Sequence, residues 1–401
     1  VGIIYSLTMK GICIFWMLLL TSILFTQVLT AQKNAPKNPV RIGLLLPLLL
    51  DSAFDQKNNI KFAPKSFPKY LLPGLEFYEG AMLALDSLNK NKMPVQLVVI
   101  DTRAANHSIQ TQLEKLDQSP LDIILTHCNA AELRIIATYG LKKNIPVINV
   151  NLPNDAGIIE NPFLVLLNST LRTQCISLAD YTHSKYAKQQ VVVFRKKGAL
   201  EDRIRSYWEE NNLTNKNPKW TYVDLPDSFS VNQISAKLDT IKPTICIAGT
   251  LDENFGKRLA SQLATLNKQR YKTSLVGLPT WGDIKDFSKL EYRGLDITYC
   301  TPYYNSRTDS VSQQVQRFFS TTLYARPSDM ALRGYESVWK YANLLLKYKD
   351  NIATQLASRE FELFRELQIQ PVFGKEKQLH YFENKKLYFL KWQDGILKLI
   401  P

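Results

Sequence analysis

The sequence lacks the usual signatures of catalysis. Only four of its 401 residues are histidines, and they stand far apart, so neither a metal cluster nor a Ser-His-Asp triad is suggested. There is no phosphate-binding GxxxxGK loop, no GxSxG elbow and no HExxH helix, and the first strand-to-helix turn has no GxGxxG fingerprint. These absences argue against an enzyme, and no catalytic residue, metal or cofactor is expected. Cysteine is scarce too. Cys13 lies inside an apolar run, while Cys128, Cys175, Cys246 and Cys300 are too widely spaced for a zinc pattern. Cys246 and Cys300 sit in apolar strands and are expected as buried free thiols. A dense basic tract is also missing, although the net charge is +14. Scattered lysine and arginine favour a solvated surface over a nucleic-acid groove, and leave room for weak contact with an anionic envelope surface.

What is present is an ordinary globular composition, 45% hydrophobic and 21% charged. A chain of this length buries enough core to need no disulfide or metal. The one long apolar run is Gly11 to Phe25, after Lys10 and before the small residues Thr30 and Ala31. That layout predicts a secretory signal over residues 1–31, starting at Met9 and cut after Ala31, with export to the periplasm. An uncleaved anchor is the alternative, since the run is near the lower limit for spanning. Residues 32–39, QKNAPKNP, form a polar linker.

From Val40 the chain alternates apolar strands with amphipathic helices. VRIGLLLPLL is followed by a helix with Leu75, Tyr78, Met82, Leu85 and Leu88 at three- and four-residue intervals, and then by VQLVVIDT, LDIILTH and IPVINV with helices between them. The pattern restarts after Arg172, through QQVVVFRKK, PTICIAGTL and TSLVGLPTW. This predicts an α/β fold of two similar lobes, each a mainly parallel sheet covered by helices. Two further helices are split near Arg326-Pro327, where proline blocks continuation. At the end, LHYFENKKLYFLKWQDGILKLI reads as a hairpin around ENKK.

These segments, in this order from about Val40 to Leu399, resemble the type I periplasmic binding proteins. That is the family of branched-chain amino-acid receptors of ABC transporters. RIGLLLPL, EFYEGAMLALDSLN, LDIILTHCNAAEL, IPVIN, PTICIAGT, TSLVGLP and PYY carry the resemblance, which is nearest to envelope members of the Bacteroidetes type. It implies two Rossmann-like lobes joined by three crossovers, with a small-molecule ligand clamped between them and an ABC permease, a sensor or an envelope protein as partner. On this resemblance the crossovers fall near Pro153, Trp281 and Lys375. Lobe one is then residues 40–153 plus 282–374, and lobe two 154–281 plus 375–401.

Residue by residue, the resemblance implies a ligand loop after the third strand, at His127, Cys128 and Asn129, with the receptors' first substrate-binding serine falling on Asn129. The next contact loop falls on Asn151, Leu152 and Pro153, and the aromatic contact of the second lobe on Thr250. The acid that would pair with a substrate amine falls near Pro279, and Ser274 to Gly282 contains none. A buried ammonium without a carboxylate partner is costly, so a standard amino acid is not the expected ligand. Trp281, Tyr303 and Tyr304 stand at strand ends, where they either stack on a ligand or serve as plain packing. His127 is either a ligand contact or a solvated loop residue. The insertion Asp51 to Gly74 carries Phe62, Phe67, Tyr70 and Leu71 and three prolines. It reads as a lid, as a docking arm, or as a loop folded onto its own lobe. The non-transport alternative is an envelope binding module with a degenerate cleft, acting on a protein or on peptidoglycan.

Overall fold

The computed structural model describes residues 39–63, 67–215 and 220–400. The expected signal, residues 1–31, and most of the linker lie outside the described residues. The chain begins with β1 (Val40–Leu46), α1 (Leu72–Lys90), β2 (Val95–Asp101), α2 (Ile109–Lys115), β3 (Ile123–Thr126), α3 (Ala130–Lys143), β4 (Val147–Asn149) and β5 (Leu164–Leu166). It continues with α4 (Leu171–Lys185), β6 (Gln190–Arg195), α5 (Ala199–Asn215), β7 (Thr221–Asp224), α6 (Val231–Ser235), β8 (Thr244–Ala248), α7 (Glu253–Asn267), β9 (Thr273–Val276) and β10 (Asp296–Thr301). Then come α8 (Ser310–Thr322), α9 (Asp329–Tyr348), β11 (Ile369–Phe373), β12 (Leu379–Asn384), β13 (Tyr388–Gln393) and β14 (Ile396–Ile400).

Among the described residues these strands make two seven-stranded sheets, ordered β11-β12-β5-β4-β3-β1-β2 and β14-β13-β10-β9-β8-β6-β7. Five consecutive strands of each sheet, β5-β4-β3-β1-β2 and β10-β9-β8-β6-β7, are parallel and follow the same order, so the two lobes are built alike, as the restarting pattern predicts. Every residue of β3 and of β8 is buried, as befits strands covered on both faces. The first sheet has core on both sides, one cluster centred on Phe77, Tyr341 and Leu344, the other on Leu133 and Ile136. The second is covered by clusters around Phe255 and Trp281 and around Trp208 and Cys175.

Sheet membership moves the crossovers. β5 belongs to the first sheet and β10 to the second, so the chain changes lobes near 167–170 and 302–309, not at Pro153 and Trp281. The third change is at 385–387, not at Lys375. ENKK is therefore no hairpin turn. β12 runs parallel to β5 in the first sheet and β13 antiparallel to β10 in the second, so the segment between them is a connection between lobes. The terminal hairpin is instead β13–β14, around Asp394 and Gly395. Periodicity alone could not separate the two cases, because both present strand, polar segment, strand.

The buried face of α1 is also shifted from the expected stripe. Phe77, Gly80, Ala81, Ala84 and Leu88 are buried, while Met82 is exposed. Small residues let α1 and α9 meet backbone to backbone. A Cβ on Gly80 would lie 1.8 Å from the Ala331 carbonyl oxygen, and one on Gly334 2.1 Å from that of Phe77. This contact fixes the first two turns of α9, which carry Asp329 and Arg333.

The described part of the insertion folds onto its own lobe. The Asp101 carboxylate accepts the amides of Leu48, Leu49, Leu50 and Arg103, which pins the turn after β1. Leu71 is buried, whereas Leu50, Phe54, Ile60, Phe67 and Tyr70 remain exposed.

Candidate functional site

The carboxyl ends of β3 and β4 supply the first wall. His127 and Cys128 follow β3. The side-chain amide of Asn151 clasps the Cys128 backbone, accepting its N–H at 3.0 Å and donating to its carbonyl at 3.4 Å. Asn149 accepts the amides of Asn151 and Leu152 and donates to the Leu152 carbonyl, so the loop after β4 is tied down by its own strand end. Asn168, in the first crossover, donates to the Asn151 carbonyl at 2.5 Å.

The second wall comes from the ends of β9 and β10 and from the crossover after β10. Tyr303 holds this crossover against lobe one. Its hydroxyl donates to the Val150 carbonyl at 2.5 Å. Its ring lies between two guanidiniums, with Arg333 3.2 Å from the centroid and Arg365 4.3 Å from it. Arg365 is buried, pairs with the buried Glu336 at 2.7 Å and donates to the Pro302 carbonyl at 2.9 Å. Tyr304 packs on Tyr388, the first residue of β13, with ring centroids 5.8 Å apart.

Between these walls lies a cavity of about 440 Å³. Lobe one contributes Pro153, lobe two Thr280, Tyr299 and Leu390, and the crossovers Asn168, Tyr303, Tyr304 and Asn305. Gln174 from the first turns of α4 and Asp329 and Arg333 from α9 complete its polar lining. A smaller recess of about 30 Å³ opens behind Tyr303 and Tyr304, toward Glu336 and Arg365. The Asp329 carboxylate pairs with Arg307 at 2.8 Å. Gln174 is 3% exposed; its amide nitrogen donates to the Ser169 carbonyl, and its Oε1 is buried without a hydrogen-bond partner.

The residues expected at the site separate into two groups. Tyr303 and Tyr304 line the cavity, and Pro153 touches it. Asn151 and Leu152 shape the rim behind it, Leu152 packing on the core of lobe one. The others have different roles. Asn129 is the N-cap of α3: its side chain accepts the Glu132 amide at 2.9 Å, and Glu132 accepts the Asn129 amide at 2.8 Å. A side chain committed to this reciprocal box is not a free ligand donor. Thr250 is buried and donates to Glu201 at 2.7 Å. Trp281 is fully buried in the core of lobe two, against Gly256, Gly277 and Phe287, and is not a cleft aromatic. The short 3-10 turn at Pro279–Asp283 rotates it inward while Thr280 and Gly282 face the cavity.

His127 is half-buried and lies outside the lining. Burial, and then the nearby Arg333 charge, hold its imidazole down at about 4, opposed by a bond to the Pro73 carbonyl, and its Nδ1 is buried without a partner. Burial pushes the Cys128 thiol up to about 12. All four described cysteines are buried and free.

Sequence reasoning missed Gln174, Arg333 and Arg365. Gln174 and Arg333 lie in helices on the faces turned to the cleft, where amphipathic spacing assigns no chemistry to a polar residue. One signal was available: both Arg333 and Glu336 interrupt the apolar side of a long helix, which calls for a buried polar partner. Among the described residues there is no group of three metal-binding side chains, and no helix is long and apolar enough to cross a membrane.

Comparisons agree with this architecture. A family model described as periplasmic binding protein matches residues 72–395. No curated protein matches the chain. Among solved structures, one from Rhodospirillum rubrum described as a branched-chain amino acid ABC transporter superposes with a TM-score of 0.68 at 14% identity, covering 90% of this chain and 100% of that one. A branched-chain amino acid ABC transporter periplasmic ligand-binding protein from Burkholderia xenovorans gives 0.61 at 12% identity, covering 90% and 94%. An ABC transporter substrate-binding protein from Desulfitobacterium hafniense gives 0.58 at 13%, covering 90% and 100%. At these identities the structures share the fold and carry no ligand assignment. With two like lobes, three crossovers and a family match over most of its length, the chain belongs to the periplasmic binding protein family.

Proposed function

We propose that this chain is an exported solute-binding protein that clamps a small ligand between its lobes and presents it to an ABC importer or a sensor. The observation that carries the reading is the 440 Å³ cavity, walled by both lobes and by the first and second crossovers. Its volume is in the range of small-molecule sites. Because its walls belong to different lobes, a ligand touching both favours the closed arrangement, which is how binding drives closure. Among the described residues the lining has neither histidine nor cysteine, and the carboxylate it holds, Asp329, is paired with Arg307. That supports a binder over an enzyme, and a ligand other than a standard amino acid.

The test is native mass spectrometry of the protein purified from its own periplasm. A stoichiometric extra mass that leaves on unfolding supports the reading. A bare mass, with no thermal shift from amino acids, peptides, sugars or muropeptides, overturns it. In that event the exposed Leu50, Phe54, Ile60, Phe67 and Tyr70 favour the second reading, an envelope binding module docking a partner through the insertion.

A further inference from the structure

Several uncharged side chains of the cavity lining have spent donors on the protein itself. Asn168 donates to the Asn151 carbonyl, Thr280 to that of Leu251, Thr301 to that of Tyr303, Tyr303 to that of Val150, and Asn305 to the Ser312 hydroxyl. Pro153, Pro279 and Pro302, which also line it, have no N–H to give. Gln174 is the opposite case. It is 3% exposed, and among the described residues nothing donates to its Oε1. A buried acceptor left unpaired is costly, and a donor arriving from the cavity relieves that cost. An amide oxygen carries no full charge, so it suits a hydroxyl or an amide N–H, which cost far less to desolvate than an ammonium.

The amide cannot turn over. Its nitrogen donates to the Ser169 carbonyl at 2.6 Å, and a carbonyl only accepts, so Oε1 is the end left facing away from Ser169. The backbone is held as well. The Gln174 carbonyl takes the Cys300 thiol of β10 at 3.8 Å, which ties the first turns of α4 to lobe two. Ser169 in turn donates from its hydroxyl to the Asn384 carbonyl at 2.6 Å. Gln174 thus stands at the cavity end of a hydrogen-bond chain that runs through the first crossover to the start of the third. A donor on Oε1 polarises the amide and strengthens the bond from its N–H to Ser169.

We propose that Gln174 is a specificity-determining residue that selects an uncharged hydrogen-bond donor of the ligand, a hydroxyl or an amide N–H, by accepting it at Oε1. This rests on the solute-binding reading and adds a requirement on the ligand that the fold does not impose. Calorimetry of the ligand-free full chain tests it with uncharged probes matched in shape and differing in a donor. Benzamide is compared with acetophenone, in which a methyl replaces the amino group. Glucose is compared with its monofluoro-deoxy derivatives, in which fluorine replaces one hydroxyl at a time.

At least one donor probe is expected to bind about tenfold or more tightly than an isostere that lacks the donor. Gln174→Met, and Gln174→Leu as a second apolar replacement, are expected to bring that ratio close to one. The ratio is taken within each variant, so a partly destabilised protein still reports. Isosteres that all bind as tightly as their parents, or a ratio that survives both substitutions, overturn the role of Gln174 and leave the solute-binding reading intact. If no probe binds but native mass spectrometry shows a retained ligand, that ligand and its analogues with one donor replaced by methyl or fluorine take the place of the probes and are read in the same way. A retained ligand with no O–H or N–H overturns the role outright. A protein that binds no probe and retains nothing loses both the role and the solute-binding reading.

Discussion

Replacing His127 by glutamine should flatten the acid limb of the stability curve. In the folded protein burial and the Arg333 charge hold the imidazole near 4, against an ordinary value of 6.5. The folded state therefore refuses a proton that the unfolded chain accepts between those values. Its stability contribution is complete above about pH 6.5 and falls as the pH drops toward 4. At about 1.4 kcal/mol per unit, the window of about 2.5 units corresponds to roughly 3 kcal/mol as an upper bound, and about 2 kcal/mol is lost by pH 5. Glutamine can still donate to the Pro73 carbonyl but has no proton to gain.

The assay is urea unfolding of the wild type and His127→Gln at half-unit steps from pH 7 to 4.5. Other groups titrate in this range. Burial also lowers His183, which acts in the same direction as His127, while burial raises Glu79 and Glu362, which act oppositely. Carboxylates held low by amide or lysine hydrogen bonds, such as Asp55 and Asp286, weaken the fold only near and below the bottom of the window. All these contributions are common to both proteins and cancel in the difference. The wild type should lose about 2 kcal/mol more than the variant by pH 5. Parallel curves would refute the placement of His127 in a largely desolvated pocket beside the Arg333 charge.

Other outcomes follow from side chains with assigned places. Trp281→Ala should cost about 3–5 kcal/mol in unfolding free energy, because it empties a fully buried indole site, whereas a cleft aromatic would have altered affinity and left stability nearly intact. Arg365→Met leaves the buried Glu336 without its partner and should cost about 3–5 kcal/mol by chemical denaturation, and the double variant Arg365→Met/Glu336→Leu should recover much of it. Asn129→Ala should lower stability by about 1 kcal/mol through loss of the α3 cap and leave ligand affinity unchanged by calorimetry. Cys128, Cys175, Cys246 and Cys300 should resist Ellman's reagent in the folded protein and react on unfolding, because burial raises all four thiols.

The lobes were legible in the sequence because each parallel strand is a short continuous apolar run. Ile123-Ile124-Leu125 and Ile245-Cys246-Ile247 announce themselves whatever surrounds them. The crossovers were not legible, because the difference between a hairpin and a passage between sheets lies in which strand becomes the hydrogen-bonding partner. The segment after Asn384 looks like a turn in sequence. In the structure Asn384 accepts the amides of Gln368 and Lys386 and donates to the Leu167 carbonyl, binding two separate stretches of chain that composition could not bring together. Carrying family positions across was least reliable where a polar side chain had a local use available: Asn129 caps a helix and Thr250 bonds Glu201, both within their own lobes.

The same buried polar residues that hid the crossovers explain how the cleft is held. Ser169 donates to the Asn384 carbonyl, and Glu383 accepts the Thr170 amide and the Lys385 ammonium, so the first and third crossovers share one buried network. Arg365 and Tyr303 bind the second crossover to lobe one. A hinge assembled this way concentrates rotation in a few residues and leaves both lobes rigid, so the walls of the cavity move as units. Arg333 belongs to α9 of lobe one, and Gln174 to α4, which packs on α5 of lobe two. A molecule that spans them crosses the hinge. On the proposed solute-binding reading, a molecule that donates to the Gln174 Oε1 while touching lobe one relieves the cost of leaving that acceptor dry, and so ties recognition to closure.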